Sequence, residues 1–376
     1  MSARRALFVL SSDYGEYVTA NLFSRGQPFA RHFAVPAALA GALGAQTQEA
    51  SVYSGVGDLE AIVGRQQPHF VVFASGYLFA VNGLIAPPDL ARLISQLRAR
   101  DIAVATTDPW LRIWQLRPGA RFAIHSVRLG AEDEASSRAM NQLRERLERD
   151  LASVPHLFAV PLPAQGGCCH SFFNPRFAAA APAPGDRQYD DWMFVLSRED
   201  LAYLPPQRLL PALLDRIEEI LVRPRNRVTL VGPRALQSAL GAHAERPRLR
   251  LSSGMDFAQF EAAVRAASIV AYWNVLSASL LYCLYCGVPP IFFGRGHQTR
   301  VCDGLFEHAA EHVYRGRAPR VLDLAAPIEP DAGALAQQLG LRPWLEYLRA
   351  EYARAAPSPS PPCRCCRCRR QSVLPG

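Results

Sequence analysis

The chain has 376 residues, 49% apolar and 20% charged, enough to bury a large core divided between two domains. Its net charge of +8 does not call for a polyanion partner. Arg354, Arg364, Arg367, Arg369 and Arg370 stand in the last 23 residues, where no acid occurs, and setting these five aside leaves +3 for residues 1–353, so no nucleic acid is expected. All 41 basic residues are arginines, and the lack of lysine excludes Schiff-base chemistry and the phosphate-binding lysine of a P-loop.

The apolar run 6–10 is too short for a signal segment and is soon followed by Asp13; it reads as a first strand, which turns through residues 11–16 into a helix over 17–23. A helix at 58–63 precedes a buried strand at 69–74, introduced by Pro68. Leu90, Leu93, Ile94 and Leu97 fall on one face of a helix over 89–100, and a strand at 102–105 ends at Thr106-Thr107-Asp108-Pro109. This alternation predicts a Rossmann-like domain over residues 1–177. It closes with a charged amphipathic helix at 134–151 and a short strand at 158–160. Residues 161–184 are rich in Pro, Ala and Gly, and 178–190 are read as the linker.

A second domain, residues 191–342, opens with a strand at 192–196 and a helix at 206–221. Strands follow at 228–231, ending at Gly232-Pro233-Arg234, and at 249–251. Asp256 and Gln259 have capping-box spacing, and Phe257, Phe260, Val264 and Ala267 recur at the helical period. A buried strand over 268–273 then leads through a polar loop, 274–279, to an apolar helix that Gly287 stops before a last strand at 290–293. Residues 267–294 carry no charge and exceed the roughly 20 residues that span a bilayer. Asn274, Gly287 and Pro289-Pro290 break that stretch into strand, helix and strand, so it is read as buried α/β core and no transmembrane span is expected. A helix over 343–355 and a Pro/Cys/Arg tail over 356–376, read as disordered, complete the chain.

The nine cysteines include an adjacent pair, Cys168-Cys169, and Cys283, Cys286 and Cys302 in or near the core. This is no secreted framework, and a cytoplasmic setting fits it. His170 beside Cys168-Cys169 matches no zinc spacing, and no metal or cofactor is expected.

The helix, strand, polar loop, helix and strand of residues 256–294 resemble the C-terminal half of GT-B glycosyltransferases, through Ala267-Ser268-Ile269-Val270-Ala271-Tyr272 and Gly287-Val288-Pro289. Gln67-Pro68-His69-Phe70-Val71-Val72-Phe73 is similar to a segment of the N-terminal half. The resemblance implies an α/β fold of two Rossmann-like domains facing a cleft, with residues 343–355 as a helix crossing back to the first domain. It also implies a nucleotide-sugar donor on the second domain and an acceptor over the first. Tyr282 stands where retaining members carry a Glu that contacts the donor.

Candidate donor-binding residues lie at strand ends. The resemblance implies a diphosphate contact for Arg198, whose planar guanidinium matches phosphate oxygens, and Arg198 is equally an exposed charge beside Glu199 and Asp200. Gly232 and Arg234 follow a strand, where glycine admits close backbone approach or simply makes the turn. Ser277 and Ser279 begin a helix whose free N–H groups would hold a phosphate, or they are ordinary caps. Arg295 clusters with His297 and Arg300 in a Gly-Arg-Gly loop. On the first domain, Asp13 is the first choice and Asp108 the second for the base that takes the acceptor's hydroxyl proton, with Glu16 beside them on the acceptor side. Each is also a turn or capping residue type.

The leading expectation is therefore a metal-independent glycosyltransferase of polysaccharide or glycoconjugate biosynthesis, with an unknown acceptor. A lipid-linked acceptor would bring peripheral association with the inner membrane face. The alternatives are a non-catalytic GT-B-like nucleotide-sugar-binding or scaffold protein, and a nucleotide-sugar epimerase.

Overall fold

A computed structural model describes residues 4–11, 14–24, 29–43, 50–123, 134–162, 169–171, 190–204, 206–241, 246–253 and 255–355. The described residues of Met1–Leu116, Ala135–Phe173 and Arg354–Gly376 form one compact unit, and those of Arg117–Glu134 and Asn174–Ala353 a second.

Seven parallel strands make the first unit's sheet: β1 (Arg4–Val9), β2 (Phe29–Pro36), β3 (Ala50–Tyr53), β4 (Phe70–Phe73), β5 (Ala103–Thr107), β6 (His156–Phe158) and β7 (Cys169–Ser171). Their order is β3-β2-β1-β4-β5-β6-β7. Such a sheet carries helices on both faces, so its central strands read as unbroken apolar runs, and every residue of Phe70-Val71-Val72-Phe73 is buried. Leu59, Ile62 and Val63 of the helix Val56–Gln66 and Leu90, Leu93, Ile94 and Leu97 of Pro87–Ala99 supply the apolar stripes.

The second sheet has five parallel strands, β8 (Asp190–Val195), β9 (Asn226–Val231), β10 (Leu249–Ser252), β11 (Ile269–Tyr272) and β12 (Pro290–Phe292), in the order β10-β9-β8-β11-β12. Trp192, Phe194, Leu213, Ile217, Ile220, Leu230, Ile269 and Ile291 are among its buried core. Asp256 caps the helix Phe257–Ala266 as its sequence predicts, accepting from the Gln259 amide at 2.7 Å while Gln259 Oε1 accepts from the Asp256 amide at 3.2 Å. Gly287 ends the helix Leu280–Cys286 in the left-handed region at φ 69°.

The helices predicted over 134–151 and 206–221 are found with those bounds. No element was expected between residues 24 and 57, where the fold has β2, the helix Ala37–Leu43 and β3. The N-terminal half of β2 is partly exposed and carries Arg31-His32, which hides its strand pattern. Asp190, placed at the linker's end, is the first residue of β8; residues 178–189 and the tail at 356–376 lie outside the described residues. The C-terminal helix, Leu341–Ala355, packs on the second unit up to residue 353, with Trp344 stacked on Tyr314 at 5.7 Å.

Phe194 stacks on Phe293 with ring centroids 6.3 Å apart in the second unit's core. Phe194→Ala is expected to cost about 3–5 kcal/mol, measured by urea unfolding.

Candidate functional site

In both sheets the first strand is central and later strands add to either side of it. Connections after β8 and β11 therefore leave in opposite directions, opening a crevice beyond their carboxyl ends, where ligands of open α/β sheets bind. Three loops of the second unit meet there.

The loop after β8 places Ser197 as the cap of the helix Arg198–Tyr203. Its hydroxyl accepts from the Asp200 amide at 2.9 Å and donates to Asp200 Oδ2 at 2.9 Å. Asp200, only 5% exposed, uses Oδ1 to bind His297 Nδ1 at 3.3 Å, which ties this loop to the one after β12. The loops after β11 and β12 are in direct contact. A Cβ on Gly294 would lie 2.8 Å from the Trp273 carbonyl oxygen, and one on Gly296, at φ +91°, would collide with the Asn274 amide. Asn274 is itself fixed, its Oδ1 accepting from the Leu276 amide at 2.8 Å.

Between Asn274 and the helix Leu280–Cys286, the amides of Ser277, Leu280, Leu281 and Tyr282 all bond to the preceding turn. Those of Ala278 and Ser279 donate to no group among the described residues, leaving two of the free N–H groups expected from the sequence. Ser277 and Ser279 lie together with hydroxyls 2.8 Å apart.

The other predicted donor residues stand differently. Arg198 extends into solvent with 80% of its side chain exposed, 3.4 Å from Glu199. The Gly232 amide is spent on the Ser252 carbonyl at 3.1 Å, and a Cβ there would touch Leu236 at 2.8 Å, so sheet pairing and helix packing account for this glycine. Arg234 is exposed at the first position of the helix Arg234–Leu240. Arg295 lies over the Phe306 ring at 4.1 Å. Tyr282 is 1% exposed and packs edge-on against Phe260 at 6.1 Å, so a core aromatic fills the position where the sequence resemblance implied a donor-contacting Glu. Sequence reasoning missed the Asp200–His297 pair. Its signal was only a carboxylate and an imidazole, each just past a strand.

On the first unit, Asp13 lies outside the described residues. Glu16, expected to face an acceptor, is buried, and its carboxylate accepts from the Ser11 amide at 2.5 Å and the Ser11 hydroxyl at 2.6 Å. It ties Ser11, just past β1, to the helix Tyr14–Ser24. Asp108 is 5% exposed and accepts from the amides of Trp110 and Arg112, both at 2.8 Å, holding a turn whose Leu111 and Arg112 have left-handed backbones. Both carboxylates were expected to face the interdomain cleft; each is buried within the first unit and accepts from backbone amides close to its strand's end.

Burial raises the Asp108 carboxyl above the usual carboxylate range, and the neighbouring His156 opposes this. Burial lowers His156, whose Nδ1 lies 2.8 Å from the Val154 carbonyl and Nε2 3.1 Å from the Tyr77 hydroxyl. Nδ1–H therefore donates to the carbonyl and Nε2 accepts from Tyr77, which is the neutral tautomer.

A group with a raised folded pKa takes up its proton more readily in the folded state, so its contribution falls as pH rises from the unfolded value of about 4. The stability of the wild type relative to Asp108→Asn is expected to decline from pH 4 toward neutrality, measured by urea unfolding across that range. Gly296→Ala must hold a left-handed backbone and displace Asn274, at an expected cost of about 1–3 kcal/mol, again measured by urea unfolding.

No protein-family model matches the chain, and no curated protein matches it by sequence. Solved structures do. The glycosyltransferase VinC in complex with dTDP is 13% identical at a TM-score of 0.53, covering 94% of this chain and 96% of that one. The spinosyn rhamnosyltransferase SpnG complexed with thymidine diphosphate is 13% identical at 0.51, covering 93% and 96%. A UDP-glucosyltransferase from Polygonum tinctorium is 11% identical at 0.53, covering 94% and 93%. With two parallel sheets each turning about its first strand, the chain has the fold of GT-B glycosyltransferases, built from two Rossmann-like domains.

Proposed function

We propose that the chain is a glycosyltransferase that takes a sugar from a nucleotide-diphosphate donor held by the loops after β8, β11 and β12. The observation that carries this reading is the meeting of Ser197, Asp200, Asn274, Ser277, Ser279 and His297 where the strand order of the second sheet reverses. The thymidine diphosphate complexes of VinC and SpnG, which share the fold, support this ligand class.

In the reaction, the bond from the anomeric carbon to the diphosphate breaks as an acceptor hydroxyl attacks and gives its proton to a base. Charge grows on the leaving diphosphate. The Ala278 and Ser279 amides and the His297 imidazole are groups of the right kind to meet it. We assign the base to Asp13, which follows β1 in sequence. Asp108 and Glu16, whose carboxylates hold turns, act as positioning groups. We propose a metal-independent reaction, so EDTA should leave turnover unchanged. The burial of Cys283, Cys286 and Cys302 in the apolar core supports a reducing, cytoplasmic setting. Among the described residues no helix is long and apolar enough to cross a membrane, and a lipid-linked acceptor belongs in the acceptor screen.

A second reading is a protein that binds the nucleotide sugar without turning it over. The core position of Tyr282 favours it, since a buried aromatic offers a donor no carboxylate.

One experiment separates the readings: the purified chain is mixed with uridine and thymidine diphosphate sugars while its melting temperature and released nucleoside diphosphate are followed. A stabilising shift with release supports transfer, and a shift without release supports the sensor. No shift with any nucleotide sinks both. His297→Ala is expected to weaken nucleoside diphosphate binding about tenfold, or about 1.4 kcal/mol, by calorimetry.

A further inference from the structure

Residues 117–123 follow the first unit's helix Ile113–Leu116 directly, yet they belong to the second unit. Phe122 pairs antiparallel with Cys302. Two backbone hydrogen bonds flank the pair: the Ala123 amide donates to the Val301 carbonyl at 3.1 Å, and the Asp303 amide donates to the Arg121 carbonyl at 3.0 Å. Phe122 is 4% exposed, and Cys302 is fully buried. Upstream, Arg117 Nη2 lies 3.0 Å from Glu311 Oε2 on the helix Leu305–His312.

What this segment grips is a single helical turn, Gln298–Val301, with Cys302 as its C-cap and His297 as its N-cap. One turn is far too short to be stable alone, so packing must fix it. From Gly296 to Cys302 the backbone is tied by Thr299 Oγ1 to the Gly296 carbonyl at 2.9 Å, the Arg300 amide to the His297 carbonyl at 2.9 Å and the Cys302 amide to the Gln298 carbonyl at 3.2 Å. The far end of that turn is where His297 meets Asp200.

We propose that the segment 117–123 is a brace for the loop after β12, and that Phe122 is a positioning residue that holds His297 against Asp200. Pinning Cys302 and Val301 fixes one end of a turn too short to bend internally, and so fixes the imidazole at the other end. The claim about geometry stands by itself. Its value to donor binding rests on the functional reading above.

The test uses the full chain and two measurements that need no nucleotide. One is amide exchange over 298–303, with β8 and β11 as internal references. The other is the rate at which diethyl pyrocarbonate modifies His297, followed by peptide mass. In Phe122→Ala, exchange over 298–303 and modification of His297 should each become roughly fivefold faster or more, with the reference strands unchanged. Asp200→Asn should reproduce the faster His297 modification, and Phe122→Leu should restore both rates toward wild type. Unchanged exchange, or faster exchange with an unchanged His297 rate, overturns the proposal. Should Phe122→Ala fail to fold, Phe122→Val and Arg117→Ala are read by the same criteria. Wild type that binds no nucleoside diphosphate, with His297 loosened in the variant, supports the brace and defeats only the assigned function.

Discussion

A parallel strand cannot return to its neighbour by a tight turn. Each connection must cross a face of the sheet, and right-twisted strands make that crossing right-handed almost without exception. When the first strand ends in the middle of the sheet, as β1 and β8 do, connections must depart to both sides, and the loops at the reversal are pushed apart. The positions of Ser197, Asn274 and Gly294 follow from this constraint before any side chain acts. The side chains then fasten what topology brings near: Asp200 to His297, and Asn274 against Gly296.

The two units treat buried carboxylates alike. Asp200, Asp108 and Glu16 all stand just after a strand, and all satisfy backbone amides or a serine hydroxyl. A strand end leaves amides with no sheet partner, and a carboxylate can accept from two donors through its two oxygens, as Asp108 does from two amides. Asp200 differs in that one oxygen also reaches across to another loop. That makes it a link between loops, while Asp108 and Glu16 are fixtures within one.

Much of the architecture was legible because buried parallel strands are short apolar runs that stand out between amphipathic helices. Phe70–Phe73 and Ile269–Tyr272 are examples. β2 and β3 were not legible, since Arg31-His32 interrupts one and the other, Ala50-Ser51-Val52-Tyr53, is mostly partly exposed and forms no apolar run. The loop 274–279 could be singled out from its own residues, a polar stretch between an apolar strand and an apolar helix. The Asp200–His297 pair could not, because its members lie 97 positions apart and meet only once β11 and β12 have been placed beside β8. The burial of Asp108 was not legible for a related reason. Its residue type says carboxylate at a strand end, but its burial depends on the left-handed turn at Leu111 and Arg112, which no local rule anticipates.

Residues 117–123 belong to the second unit although the helix before them belongs to the first, so the boundary between the units is not one cut in the sequence. A chimera joined at residue 174 would keep Phe122 from one parent and Cys302 from the other, so the two sides of one backbone bridge would come from different sequences. Modular exchange would have to carry two stretches of sequence together, which ties the inheritance of one half to a short insertion in the other.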